Sequence, residues 1–377
     1  MVKMMKMAMM INPLALPKGQ HKLCELCQKP AHVQCTKCRV TFYCNASHQQ
    51  ADWVGIHQKV CQLLVPLRTA VPFHALQVDR DHHSAQIRQR KEQLIEISRA
   101  TAQRKLLEGL HMEALPAAQL CLRSAREVFG CSAVELVPAY LLLAEINIGL
   151  AYVAEAKEYL TQAEWTALRS PGCSRAVRHQ LQRNLGRLYI AEENLEWALF
   201  HLANDVYYAT EEFGLDSPKT CGGYLLMANV FFIQEKTDIA MSLYTKVAST
   251  WHDHLSEVLE SHVHSSAAVE DLLDEIRWVE AEGTLHSLLE AQRQSTQEQP
   301  YLLALVSHAL AVLCLLAGDL AQALEFGRKA LSNSQLVPDC SLVEPIQGFL
   351  QLAEQRLGER DGSGAGVITD AGDEPSQ

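Results

Sequence analysis

Cys24-Glu25-Leu26-Cys27, Cys35-Thr36-Lys37-Cys38, Cys44-Asn45-Ala46-Ser47-His48 and His57-Gln58-Lys59-Val60-Cys61 are four ligand pairs within residues 24–61. The two CxxC pairs can each sit on a tight turn with both sulfurs facing one metal. In Cys44/His48 and His57/Cys61 the side chains fall one helical turn apart, on one face. Zinc takes four nitrogen or sulfur ligands in a tetrahedron, so eight ligands serve two ions. The stretch is too short for a hydrophobic core of its own, and metal is expected to supply most of its folding energy. The expected cofactor is therefore Zn2+, two ions, held by Cys24, Cys27, Cys35, Cys38, Cys44, His48, His57 and Cys61.

Outward from this cluster, the chain has 377 residues, 48% hydrophobic and 20% charged, and twelve cysteines. The six cysteines outside the cluster are scattered singly, as small core hydrophobes are. The opening Met1 to Met10 does not read as a signal peptide but as a ragged start, an extension upstream of Met10. A disulfide framework is therefore not expected. No run approaches the roughly 18 apolar residues of a membrane span. Net charge is −11, which opposes binding to nucleic acid or anionic lipid. The charge is uneven: residues 1–65 carry eight Lys/Arg against Glu25 and Asp52, a basic head on an acidic body.

The body repeats. A small residue followed twelve positions later by Ala recurs as Ala102/Ala114, Ala144/Ala156, Gly186/Ala198 and Ala228/Ala240, with a period of 42. A further copy, Ala311/Ala323, begins 83 residues after Ala228, and a degenerate copy is expected between, around Val269 to Ala281. Small residues at these places let two antiparallel helices approach closely. The predicted fold is mostly α, a small two-zinc cross-brace finger followed by an α-solenoid of helix pairs. Its expected divisions are a flexible N-terminus (1–23), the finger (24–61), a Pro66- and Pro72-containing linker (62–83), the solenoid (84–357) and a disordered tail (358–377). The His252, His254, His262 and His264 stretch reads as a solvated helix extension.

Residues 24–61 resemble a MYND-type zinc finger, on Phe42-Tyr43-Cys44, His48-Gln49-Gln50-Ala51-Asp52-Trp53 and His57-x3-Cys61. The resemblance implies interleaved ligands, with one zinc on Cys24, Cys27, Cys44 and His48 and the other on Cys35, Cys38, His57 and Cys61. His48 departs from the Cys most members have, but imidazole ligates zinc equally well. The family mostly binds short proline-containing peptides. The matching positions here are Gln49 and Trp53, with Thr36 nearby, and a tryptophan on a small finger suits a proline ring. The repeats, best in Leu185-Gly186-x2-Tyr189…Ala198, resemble tetratricopeptide repeats, with a longer period than the usual ~34 residues.

Over its whole length the chain is similar to MYND-finger tetratricopeptide scaffolds of motile cilia. The similarity rests on Pro13–Gly19, Cys61–Arg68 and Val137–Glu145. That resemblance implies a cytoplasmic component of the ciliary and sperm-flagellar axoneme, partnered by axonemal tetratricopeptide-repeat proteins and dynein assemblies, with no nucleic acid and no membrane. The alternative is a nuclear transcriptional adaptor whose finger recruits proline-containing corepressor peptides, and a third possibility is that the finger caps the solenoid. Lys105, Asn147, Tyr189 and Phe231, also spaced by 42, are the expected partner-binding row on the concave face. No phosphate-binding loop, dinucleotide fingerprint, nucleophile elbow or metalloprotease motif occurs. SET-type lysine methyltransferases can carry such a finger, but only 23 residues precede Cys24 and no asparagine–histidine–cysteine cofactor signature follows Cys61. A non-enzyme is expected.

Overall fold

The computed structural model describes residues 22–69, 75–265, 274–295 and 299–364. The expected flexible start, apart from its last two residues, and the tail beyond 364 lie outside them. No helix among the described residues is long and apolar enough to cross a membrane. The described chain divides into two compact units at residues 212/213.

In the first unit, strands β1 (Val33–Gln34) and β2 (Phe42–Tyr43) pair antiparallel, Val33 opposite Tyr43. Helix α1 (Ala46–Asp52) follows, with Asn45 as its N-cap accepting from the His48 amide at 2.8 Å. It passes through one π-helical turn, Trp53–His57, into α2 (Gln58–Val60). A π turn inserts one residue into the helical register. Helix α3 (Leu64–Arg68) then leads to α4 (Gln77–Leu107). Residues expected as linker are therefore helical at 64–68 and from 77 onward. Leu64 is buried in the helical core, which gives this stretch an apolar anchor that a free linker lacks.

Helix pairs follow: α4 with α5 (His111–Phe129), α6 (Val137–Gly149) with α7 (Val153–Arg169), and α8 (Arg175–Ala191) with α9 (Leu195–Phe213). Buried Asp205 of α9 ties down α8: Arg183 Nε donates to it at 2.7 Å, and His179 Nδ1 lies 3.2 Å away.

The second unit holds α10 (Pro218–Ile233) with α11 (Thr237–Ser265), α12 (Glu275–Gln294), α13 (Pro300–Leu316) with α14 (Leu320–Ser334), and α15 (Val343–Gly364). Helix α13 is buried along most of its length, as its near-continuous apolar sequence dictates.

The repeat positions have one role throughout. Ala102, Ala114, Ala144, Ala156, Ala198, Ala228, Ala240, Ala311 and Ala323 are all fully buried, and Gly186 is buried against Leu202. Each pair also turns the same way. Gly109, Ala151, Glu193, Glu235 and Gly318 adopt left-handed conformations with φ of 76°, 61°, 59°, 62° and 80°. The following amide reaches back five residues in every case: Leu110 to Lys105, Tyr152 to Asn147, Asn194 to Tyr189, Lys236 to Phe231, and Asp319 to Cys314. This is the Schellman cap, which satisfies carbonyls the helix end leaves free.

Three expectations need correction. The degenerate copy would put a turn within α12, yet α12 runs unbroken from its Asp274 N-cap through buried Ala281; Val269 lies outside the described residues. Helix α15 continues to Gly364, past Gly358. Ile346, Phe349 and Ala353 anchor it in the core, and one interior glycine costs only about 1 kcal/mol. The histidine stretch is no solvated extension either: Trp251, His252, Leu255 and Val258 are buried in α11. His252 Nε2 lies 2.9 Å from His308 Nδ1 of α13.

Candidate metal centre

The fold gathers the eight ligands into two sets. Cys24, Cys27, Cys44 and His48 form one; Cys35, Cys38, His57 and Cys61 form the other, and within each set the ligand atoms lie within 4.8 Å of one another. The donor sets fit zinc. A tetrahedron with Zn–S near 2.3 Å has S–S edges of about 3.8 Å and slightly shorter N–S edges. Cys27 and Cys44 sulfurs are 3.6 Å apart, Cys35 and Cys61 4.0 Å, and His48 Nδ1 lies 3.4 Å from both Cys24 and Cys44. Cys38 Sγ is 3.6 Å from His57 Nε2. His48 thus stands in the first tetrahedron where the family's usual cysteine would, and the interleaving implied by resemblance is the one observed.

Local structure places each ligand. The Asn45 cap starts α1 one residue after Cys44, which puts His48 back over Cys44 one turn later. The π turn ends at His57, and α2 brings Cys61 alongside. Behind His57, Asp52 Oδ2 lies 3.5 Å from Nδ1, and the Tyr43 hydroxyl donates to the same carboxylate oxygen at 2.6 Å. This buried second layer orients the imidazole with Nε2 toward the metal. Sequence reading singled out neither Tyr43 nor Asp52 for it. The signal was their place in the family phrase: Tyr43 precedes a ligand, and Asp52 lies five residues before His57.

The finger is not a free-standing bead. Ile56, Val60 and Leu64 belong to the same buried core as Leu94, Ala102, Ala114, Ala117 and Cys121 of α4 and α5. Each such side chain contributes about 1.5–3 kcal/mol on burial. At Gly55 the backbone lies so close that a Cβ would stand 2.8 Å from the Pro116 ring and 3.0 Å from the Glu113 carbonyl. Glu25, between the first two ligands, takes both terminal nitrogens of Arg68 at 2.9 Å and one from Arg123 of α5 at 2.5 Å. Arg123 also donates to the Glu25 carbonyl. Burial works to raise the Glu25 carboxyl, but the Arg68 hydrogen bonds and the charges of both arginines outweigh it and hold it below the usual carboxylate range.

The other expected site residues are dispersed. Thr36 is exposed, Gln49 is buried and Trp53 is half-buried. The Lys37 ammonium lies 4.5 Å from the Trp53 ring centre, and the His57 ring stands 5.8 Å away. Lys105, Asn147, Tyr189 and Phe231 supply the carbonyls that accept the five-residue turn bonds, in the last turn of the first helix of each of their pairs. Lys105 and Asn147 are buried. Lys105 Nζ pairs with Glu113 at 2.6 Å, and Asn147 Nδ2 donates to the Leu143 carbonyl at 2.7 Å. Tyr189 is half-buried, stacked on His201 at 5.2 Å and on Trp197 at 6.1 Å. Phe231, in the second unit, packs against that unit's core beneath the Lys236 ammonium.

Against known proteins, residues 24–61 match the MYND finger family. A segment is 38% identical over 45 residues to Tudor domain-containing protein 1 of Danio rerio, covering 12% of this chain and 4% of that protein. The chain thus spans only a small part of the length of this curated relative. Among solved structures, BtubC (BKLC) from P. vanneervenii is similar over 75% of this chain and 97% of its own, at 16% identity and a TM-score of 0.31. Residues 24–61 are therefore a MYND zinc finger with two Cys3His centres, and paired helices follow it.

Proposed function

We propose that this protein is a non-catalytic scaffold that binds other proteins, with the finger built into its first helix pair as the end of the array. The observation that carries this reading is the core shared by Ile56, Val60 and Leu64 with α4 and α5. Helix arrays need a closed terminal face, since the first repeat has no preceding neighbour to cover it. A metal-folded finger supplies such a cap and leaves its own outer face for contacts.

The finer reading rests on the whole-chain resemblance: a cytoplasmic axonemal component of motile cilia and the sperm flagellum, partnered by tetratricopeptide-repeat proteins and dynein assemblies. Tyr189 and Phe231 are the body positions proposed to meet partners, being partly exposed aromatics at equivalent turns; Lys105 and Asn147 would shape the equivalent turns beneath the surface. Thr36 and Trp53 remain the proposed finger contacts, with Gln49 behind them.

Affinity capture from ciliated tissue tests this, with full-length wild type, Trp53→Ala, and the Tyr189→Ala/Phe231→Ala pair as baits. Axonemal proteins are expected with wild type and Trp53→Ala, at reduced yield with the double variant. A nuclear catch that vanishes with Trp53→Ala would establish the corepressor alternative instead.

A further inference from the structure

Helix α9 carries an aromatic ridge on its outer side. Trp197, Phe200 and Tyr207 are 52%, 55% and 60% exposed. Phe200 stands three residues after Trp197, and Tyr207 seven after Phe200, so all three fall on one face of the helix. Ring contacts fix the N-terminal half of that face. The Trp197 and Phe200 rings meet edge to face at 5.6 Å, and both adjoin buried His201, at 6.2 Å and 5.2 Å. Tyr189 of α8 stacks on Trp197 and His201 and completes the group. His201 Nδ1 lies 2.7 Å from Gln182 Oε1, which ties this platform to α8. Pairing of the helices does not require rings here: 42 residues earlier the positions equivalent to Trp197 and Phe200 are the exposed Glu155 and Glu158.

The ridge sits in acidic chain. Residues 188–218 contain no Lys or Arg. Glu192 pairs with Lys157 and Glu211 with Arg175, but Glu193, Glu196 and Glu212 are exposed and form no ion pair among the described residues. Glu196 lies one helical turn before Phe200, at the margin of the ridge. Aromatic rings elsewhere carry a cation of this chain's own: Lys37 over Trp53, Arg169 over Trp165, Lys219 over Phe213 and Lys236 over Phe231. Among the described residues no cation lies over Trp197, Phe200 or Tyr207. The face therefore offers a cation two attractions that nothing in the chain takes up, the negative ring faces and the carboxylates beside them.

We propose that the Trp197–Phe200–Tyr207 face of α9 docks a basic amphipathic helix of a protein partner, apolar along one side with arginine or lysine at its margins. This rests on the reading of the protein as a protein-binding scaffold and names the chemistry of one partner surface. From Trp197 to Tyr207 the ridge runs about 15 Å at 1.5 Å per residue, the length of three turns of a partner helix. A row of side chains on one helix packs into the groove of another. Tryptophan and tyrosine are the residues that most often carry binding energy at such contacts. Apolar partner side chains would cover the rings, and the marginal cations would meet Glu193 and Glu196. The net charge of −11 speeds encounter with a basic partner.

The test uses full-length, zinc-loaded protein and three labelled probes in fluorescence anisotropy: a helical peptide with leucines along one side and arginines flanking them, its twin with glutamate for every arginine, and its twin with alanine for every leucine. Wild type is expected to bind the leucine–arginine peptide, the alanine twin more weakly and the glutamate twin not at all. Trp197→Ala/Phe200→Ala should weaken the first by at least about tenfold, which corresponds to about 1.4 kcal/mol. Glu193→Gln/Glu196→Gln should give a smaller loss and a flatter dependence on salt. Leu336→Ala, which trims an exposed apolar side chain in the second unit, should change nothing. The replaced side chains are exposed, and circular dichroism checks that each variant keeps the wild-type helix content. Absence of binding, binding that both double variants leave unchanged, a loss just as large in Leu336→Ala, or equal binding of the glutamate twin overturns the proposal. So does light scattering that shows a wild-type dimer and a monomeric Trp197→Ala/Phe200→Ala, since a second copy would then cover the face. If capture of partners by the full chain survives while the arginine peptide fails, the scaffold reading stands and only this surface assignment falls.

Discussion

At Gly55 a single missing methyl group decides whether the finger can sit on α5. A Cβ there would come within 2.8 Å of Pro116, whose ring cannot swing aside, and 3.0 Å of a backbone oxygen. Gly55→Ala should therefore destabilise the first unit by about 1–3 kcal/mol, the usual cost of overpacking, read as a lower urea midpoint with both zincs retained. Gly283 in α12 offers the contrast: it is exposed, with nothing within 4 Å of an added Cβ. Gly283→Ala should raise stability by about 0.5–1 kcal/mol through helix propensity alone. His308 carries a different residue-scale consequence. Burial, with the neighbouring His252 charge, depresses its pKa to about 3 from an ordinary 6.5. The folded protein then holds fewer protons there than the unfolded chain. The stability from this site is full above pH 6.5 and drains away as pH falls from 6.5 toward 3. Denaturation midpoints measured from pH 7.5 to 5 should decline for wild type and decline less for His308→Gln.

At the scale of the element, the helix pairs are held by two periodic devices in one register. The alanines set how closely the helices approach, and the left-handed turn sets where each helix stops. Two turns use glycine at the left-handed position, Gly109 and Gly318; three use Ala151, Glu193 and Glu235. A side chain in that conformation costs about 1–2 kcal/mol, which packing in the pair must offset. Glu193→Gly should thus stabilise by about 0.5–1 kcal/mol, net of glycine's greater unfolded-state entropy. Gly318→Ala should destabilise by about 1 kcal/mol; thermal denaturation of each variant checks both signs. The period was legible in the sequence because every copy buries a small residue, alanine or, at Gly186, glycine, at the same two places. The turn was not: Gly, Ala and Glu look unrelated until φ is known. Nor was the course of α11 legible. Its histidines read as polar, but Trp251, Leu255 and Val258 recur at helical spacing and carry His252 inward with them.

Across the molecule, the finger and the first helices share one buried core, and this links metal to helix. Chelating zinc should do more than melt α1 and α2. With Ile56, Val60 and Leu64 withdrawn from the shared core, α4 and α5 lose their cover. The expected outcome is a drop in far-UV circular dichroism larger than the finger's own helices can account for, with new protease cleavage within 77–129. A drop confined to the finger would mean that the two fold separately.

The eight ligands, their two-zinc stoichiometry and the helical period were written in the sequence by itself, because metal ligation and helix contact each need particular side chains at fixed spacing. The partition of ligands into two sets came from resemblance and was met by the geometry. Tertiary structure alone decided the attachment of the finger. Ile56, Val60 and Leu64 look like the interior of a small domain, and Glu25, Arg68 and Arg123 look like surface charges. Only the fold brings residues 98 positions apart into one ion cluster. It alone turns both finger carboxylates inward and leaves the cations outside. Spacing along the chain encodes local geometry well. Which charge finds which partner depends on distances through space that no local pattern records.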